Sequence, residues 1–517
     1  MAGKTFKTGA LLLMFSAFFV KILGFIYRVY LTNLIGAEGM GLFQLISPLY
    51  TLIILTLTSG ISIAVSKTVA EQFAHKNNAN LKRIAKVGFS LVVTASFFIS
   101  IILILNIRYI ADIILKDSRT YFSLLLLVPC IPVISASGAI KGYFYGMQYV
   151  LPTAVSQIVE QVIRISFVMI MAQKLSGLGL EYACALATSG MLLGEIANLA
   201  VLLIVYKTKK IDIKTKKTIL LSKIEIFKKL MNISAPISLN RFITSLMSAV
   251  EVILIPRSLV KGGLEHTAAI EEFGKLTAMS MPLVFFPSMV TSSIAIMLVP
   301  AISESVSLKN NKTTCYRISK SIQLAFMMGF LFTAFFYSFS HEVGDLVYKG
   351  QNIGGILYLL GYTCVFIYLH QMMLGILNGL GKQTISLRNS VFGYIIRIGF
   401  VFFLVPQKGI SAYIIGILIS FFIVCLLDMN TVVKTTGMKA EYKNWIIIPG
   451  TIGLFLGFSG KYIKEFFIAI NDGTLGVILA IGCFIILAGL LMSSFGDFGL
   501  KQLKNMVGIK IKRKTKK

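Results

Sequence analysis

The sequence predicts an all-α polytopic membrane protein of about fourteen transmembrane helices, two six-helix lobes related by internal duplication plus two C-terminal helices. Three observations lead there. Of the 517 residues, 56% are apolar and 14% charged, too little polar surface to cover a soluble fold of that size. Apolar runs long enough to cross a bilayer recur along the whole chain. Residues of the first half also return in the second at one constant spacing, the mark of a repeat. The net charge of +29 gathers between the apolar runs, as the orientation of membrane helices requires, and no basic segment is interleaved with stacking aromatics, which argues against nucleic acid.

In chain order the spans are read near 10–32, 42–65, 87–107, 120–140, 152–173 and 182–206 for the first lobe. They follow near 231–255, 278–300, 321–340, 353–377, 389–406 and 410–433 for the second, and near 445–460 and 474–494 for the appendix. The domains are then a first lobe at 1–206, a basic linker at 207–229 and a second lobe at 230–433. Two extra helices at 434–494 and a polybasic tail at 495–517 complete the chain. An even number of spans puts both termini on one side. Alternate loops carry about 34 Lys and Arg on that side against about 11 on the other, so both termini are expected in the cytoplasm. The tail is expected to bind anionic lipids.

The duplication rests on an offset of 233. Gly142, Gly146 and Arg164 return as Gly375, Gly379 and Arg397, and Ile163-Arg-Ile165 returns as Ile396-Arg-Ile398. Glu38, Gly41, Ile61 and Glu71 return as Glu271, Gly274, Ile294 and Glu304. Six spans per repeat is an even number, so the repeats should enter the bilayer in the same sense, about an axis along the membrane normal. The glycines are expected to serve turns or close packing at helix ends.

Charge inside the spans marks the candidate sites, because an ionised group at bilayer depth costs about 2.5–3.5 kcal/mol and normally faces protein or a watery cavity. Lys21 and Arg28 lie in the first span, roughly 20° apart in azimuth and about 10 Å apart along the axis. Arg28, near the outer end, has snorkelling as its alternative reading, whereas Lys21 is flanked by apolar helix on both sides. The seventh span gathers Asn240, Arg241, Thr244, Ser248 and Glu251 in a sector of roughly 100°. Glu160 and Arg164 stand four residues apart in the fifth span, in the order that lets them neutralise one another. Position 393, equivalent to Glu160, is glycine, so Arg397 lacks an acid on its own helix. Glu195, His370 and Asp428 complete the set and are candidates for coupling to protons or sodium, or for pairing with neighbouring arginines. No metal, nucleotide or nucleophile motif is present, so neither an enzyme nor a cofactor is expected.

Lys21-Ile-Leu-Gly-Phe-Ile-Tyr-Arg28, Leu34-Ile-Gly-Ala-Glu-Gly-Met-Gly-Leu-Phe-Gln44 and Gly60-Ile-Ser-Ile-Ala-Val-Ser-Lys67 together resemble the polysaccharide-exporter branch of the multidrug/oligosaccharidyl-lipid/polysaccharide flippase superfamily. Within it they are similar to the stage V sporulation protein B family. Relatives often carry arginine at position 21; lysine keeps the charge but loses the planar fork for phosphate. The resemblance implies a bacterial-type plasma membrane protein that exports a lipid-linked saccharide, a peptidoglycan precursor, with sporulation as one setting. It implies alternating access through a cavity between lobes, with Lys21, Arg28 and Arg241 holding the diphosphate. The two extra helices would form a groove for the lipid tail, and H+, Na+ or the membrane potential would supply energy. The alternatives are a cation-coupled multidrug antiporter of the same superfamily, which would use the carboxylates, and a non-transporting scaffold in wall synthesis or sporulation.

Overall fold

A 73-residue helix opens the chain, α1 (Ala2–Ala74), which held straight would run about 110 Å, several bilayer thicknesses. It breaks at Gly36, whose φ of 71° lies in the left-handed region that glycine occupies without a Cβ penalty. The first two predicted spans are therefore two helices meeting at one residue. The structure is a computed structural model and describes residues 2–74, 78–175, 179–208, 220–470 and 473–495. Residues 209–219 of the basic linker and nearly all of the polybasic tail lie outside the described residues.

After α1 come α2 (Asn78–Leu105), α3 (Tyr121–Gly146), α4 (Leu151–Leu175) and α5 (Leu180–Thr208). The second repeat opens with α6 (Lys223–Lys261), followed by α7 (His266–Gly274) and α8 (Ser288–Ser307). The eighth predicted span is broken between those two: a π-helical stretch at Lys275–Ser280 and a short helix at Met281–Phe285 intervene. Pro282 and Pro287 remove backbone donors there, which ends regular hydrogen bonding. Pro236, by contrast, is accommodated within α6.

The chain continues through α9 (Asn311–Val347), α10 (Gly354–Gly361), α11 (Cys364–Gly379), α12 (Gln383–Phe403) and α13 (Ile410–Thr436). It closes with α14 (Ile448–Ile470) and α15 (Thr474–Phe495). Twelve of the described helices or helical runs are long and apolar enough to cross a membrane, and α10 with α11 form one more span bent by 54°. Since α1 supplies two crossings, the described residues hold about fourteen spans, as the sequence predicts.

Contacts divide the chain into two compact units, Met1–Pro256 with Ile270–Gly274, and Arg257–Ala269 with Lys275–Lys517. The compact units do not follow the repeat boundary: α6, which opens the second repeat, packs with the first unit as far as Pro256. Two contacts show how. A Cβ on Gly60 would meet the carbonyl oxygen of Ser234 at 2.5 Å, and Ser238 donates to the carbonyl of Thr56 at 2.6 Å.

Within each unit the core repeats at the sequence offset. Val65, Val69, Ala85, Ala139 and Tyr143 share one buried cluster in the first unit. Leu298, Ile302, Ile318, Met372 and Ile376, each 233 residues later, share the cluster of the second. The glycines repeat the pattern on the backbone. A Cβ on Gly142 would lie 2.5 Å from the carbonyl oxygen of Ser62, and one on Gly375 would lie 2.5 Å from that of Ala295, the equivalent residue. In lipid, helix association rests on such close backbone approach rather than on hydrophobic burial. The glycines that the sequence places at helix ends thus serve packing.

The appendix packs on α9 in the second unit. Ser338 donates to the carbonyl of Gly457, and the indole of Trp445 donates to Ser319 at 3.0 Å inside the core. Trp445→Phe removes that bond and is expected to cost about 1 kcal/mol, read as a lower thermal midpoint in detergent.

Candidate functional site

In the first unit, α4 and α5 lie side by side and bring four polar residues into one buried network. Arg164 donates to Glu160 at 2.6 Å, both side chains being mostly buried. Asn198 of α5 donates to the other oxygen of Glu160 at 2.7 Å and reaches Glu195 at 3.4 Å. The close approach of the helices depends on Gly194 and Gly190, whose absent side chains leave room for Glu160, Arg164 and Val168. Two carboxyl groups share one guanidinium here, and Lys141 of α3 lies within Coulombic reach of Glu195.

In the second unit the equivalent helices α12 and α13 carry a related group. Glu195 and Asp428 stand 233 residues apart, as do Arg164 and Arg397. Asp428 is fully buried and accepts a hydrogen bond from Asn389 at 2.8 Å. His370 of α11 faces it, its Nδ1 3.6 Å from the second carboxylate oxygen. Arg397 donates to Ser420 at 3.1 Å and stacks over the rings of Tyr394 and Phe421 at 4.3 and 5.2 Å. Stacking on aromatic faces suits the flat, weakly hydrated guanidinium and offsets its burial.

The proposed diphosphate residues are placed differently. Lys21 is exposed, Arg28 is partly buried and Arg241 is exposed on α6. On α6, Asn240 is partly buried, its carbonyl accepting from Thr244, and Glu251 is buried. The structure therefore brings Glu160, Arg164 and Glu195 together, while Lys21 and Arg241 are exposed and lie outside that network. Sequence reasoning missed Asn198 and Asn389, the amides that hold the two repeated carboxylates. One signal was available: Asn198 follows Glu195 by three residues, one turn along the same face.

Among the described residues no group of three or more His, Cys, Asp or Glu has the arrangement of a metal site. The polar chemistry consists of buried ionisable groups inside duplicated helical units, which is the constitution of a multi-pass membrane transporter. The chain belongs to the polysaccharide biosynthesis protein family, whose pattern it matches over residues 6–306. It is 30% identical over 471 residues to stage V sporulation protein B of Bacillus subtilis (strain 168), covering 90% of each chain. It is 28% identical over 434 residues to the lipid II flippase MurJ of the same organism, covering 77% of each. A solved structure of lipid II flippase MurJ in an inward closed conformation shares the fold, with a TM-score of 0.71 at 15% identity over 94% of this chain and 98% of that one.

Proposed function

We propose that this protein moves a lipid-diphosphate-linked saccharide, a peptidoglycan precursor with spore-cortex synthesis as its setting, from the inner to the outer leaflet by alternating access. The observation that carries the reading is Lys21: a cation at bilayer depth, with apolar helix on either side, whose side chain is exposed rather than paired into the core. An exposed ammonium there needs water or an anion. A polyprenyl diphosphate supplies the anion at the right depth while its tail stays in lipid. Arg28, seven residues on, adds a second charge on the same face, and Arg241 adds a candidate from α6. The similarity to a lipid II flippase and to a sporulation protein supports this substrate class.

Translocation of a labelled polyprenyl-diphosphate saccharide in proteoliposomes tests it. Lys21→Gln is expected to lower the initial rate by roughly 10- to 150-fold, the loss of one charge-assisted contact of roughly 1.5–3 kcal/mol, and Lys21→Gln with Arg28→Gln further. Lys21→Arg should retain the rate, because the charge is kept and a fork added. Unchanged flux in the double variant removes the proposed site. No flux with any polyprenyl-diphosphate saccharide removes the function.

A further inference from the structure

We propose that Tyr337, Tyr358 and Lys461 form a site in the second unit for the headgroup phosphate of an anionic phospholipid, at the membrane border where the appendix meets α9 and α10. The helices meet there because Gly453 and Gly460 bring α14 onto α9. A Cβ on Gly460 would lie 2.5 Å from Oγ of Ser338, and one on Gly453 would lie 2.9 Å from Cβ of Phe330. That crossing sets Lys461 over the ring of Tyr337, its ammonium 4.3 Å from the centroid. Tyr358 of α10 packs its ring 5.8 Å from that of Tyr337, and Tyr362, just past α10, closes the row at 5.5 Å. The row ends at the 54° bend between α10 and α11.

Hydrogen-bond accounting leaves this cluster short of acceptors. Tyr362 donates to the hydroxyl of Tyr358 at 2.9 Å, so the hydrogen of Tyr358 itself remains to be placed. Lys461 is exposed and forms no ion pair among the described residues, whereas Lys464, one turn on, is bonded to Glu342 at 2.9 Å. Tyr337, Tyr358 and Glu465 lie within Coulombic reach of Lys461, but Glu465 is exposed, so water screens it. An ammonium beside two tyrosine hydroxyls, with no anion bound among them, matches a phosphodiester, which brings a negative charge and two free oxygens. The depth fits a lipid. Lys461 follows Lys443 by 18 residues, about 27 Å along the helix and close to the roughly 30 Å of hydrocarbon, so the cluster stands at the headgroup border. Toward the bilayer centre, Leu454, Phe455 and Phe458 of α14 are exposed and give an acyl chain a surface to lie against.

The repeat shows that these residues are not part of the shared scaffold. The positions equivalent to Tyr337, Tyr358 and Tyr362 are Ile104, Leu125 and Pro129, and Ile104 and Leu125 are exposed apolar residues of the kind that face lipid. The first unit has no appendix to supply a lysine. Tyrosines therefore stand at these three positions only in the repeat where α14 brings a cation to them. A row of tyrosines alone would anchor helices at the interface; the lysine and the unspent hydroxyl hydrogens add a place for negative charge. A headgroup that carries its own ammonium would set a second cation against Lys461, which is why the lipid is anionic. With both termini in the cytoplasm, as the loop charges predict, this border belongs to the outer leaflet.

Native mass spectrometry of the full-length protein, delipidated in detergent and titrated with phosphatidylglycerol or phosphatidylcholine, tests this. Other basic surfaces also attract anionic lipid, so the site is read as the difference between wild type and variant. Lys461→Gln is expected to weaken retention of one phosphatidylglycerol by at least about tenfold. Tyr358→Phe, which keeps the ring and removes the donor, should weaken it by about fivefold, and it carries the test by itself should Lys461→Gln not fold. Lys461→Arg should retain the lipid, because the charge stays and a fork is added. Phosphatidylcholine should be held at least about tenfold more weakly and respond to neither substitution. A contact that serves only to clamp α14 on α9 gives a different pattern: a lower thermal midpoint in Lys461→Gln, with phosphatidylglycerol retention unchanged there and in Tyr358→Phe. That pattern overturns the site, as does equal retention of the two lipids. Displacement of the lipid by an equal concentration of inorganic phosphate would reveal a site for a free ion and overturns the lipid assignment.

Discussion

Arg164→Met is expected to lower the stability of the protein by about 3–5 kcal/mol, read as a large fall in thermal midpoint in detergent. The residue spans the gap between two buried acids. Without its guanidinium, Glu160 and Glu195 would face each other across Asn198, which can donate to both but brings no charge. The loss comes mainly from stranding Glu160, so a second substitution should restore part of it: Glu160→Gln with Arg164→Met is expected to be more stable than Arg164→Met by more than 1 kcal/mol. Glu160→Gln by itself should cost less, because Arg164 keeps Glu195 within Coulombic reach. A double variant no more stable than Arg164→Met would show that the pair is not coupled. On this account Arg164 serves the fold of the first unit, and its repeat Arg397, seated on aromatic rings instead, reaches the same end without a carboxylate on its own helix.

The sequence made the Glu160–Arg164 pair legible because both partners sit on one helix, where a spacing of four fixes their proximity. The same logic cannot reach Asn198, 38 residues from Glu160, since that contact depends on how α4 crosses α5. The equivalence of Glu195 with Asp428 stood in the sequence at the offset of 233 but escapes a search for identities, because one is glutamate and the other aspartate. The breaks were legible only in part. Apolar periodicity finds spans, but it is blind to whether two spans are separated by a loop or by one residue such as Gly36, where backbone conformation decides. Glu38 shows the limit again: matched to Glu271 by the repeat, it pairs in the structure with Arg119, 81 residues away. Lys229, counted in the linker by its charge, is bonded to Glu71.

Gly274→Ala is the substitution in which one methyl group should do the most harm. A Cβ at Gly274 would collide with the carbonyl oxygen of Ala37, and a Cβ at Gly41 would collide with that of Ile270. Ala37 and Ile270 are themselves equivalent, as are Gly41 and Gly274, so the contact is reciprocal: each helix inserts its glycine against the backbone of the other. The colliding atoms are backbone, which cannot rotate away, so α1 and α7 must separate along their whole crossing. The expected cost is about 1–3 kcal/mol for either substitution. The reciprocity makes a sharper prediction. Once the helices have parted for one methyl, room exists for the other, so Gly41→Ala with Gly274→Ala should cost clearly less than the sum of the two. Gly399→Ala is the control, since it also lies in a helix but its Cβ would meet nothing within 4 Å. There alanine should be neutral or stabilising by up to about 1 kcal/mol through helix propensity. Thermal midpoints of the four variants in one detergent decide the matter. Equal behaviour of Gly274→Ala and Gly399→Ala would mean that the crossing tolerates a side chain, and full additivity would mean that the two glycines pack independently.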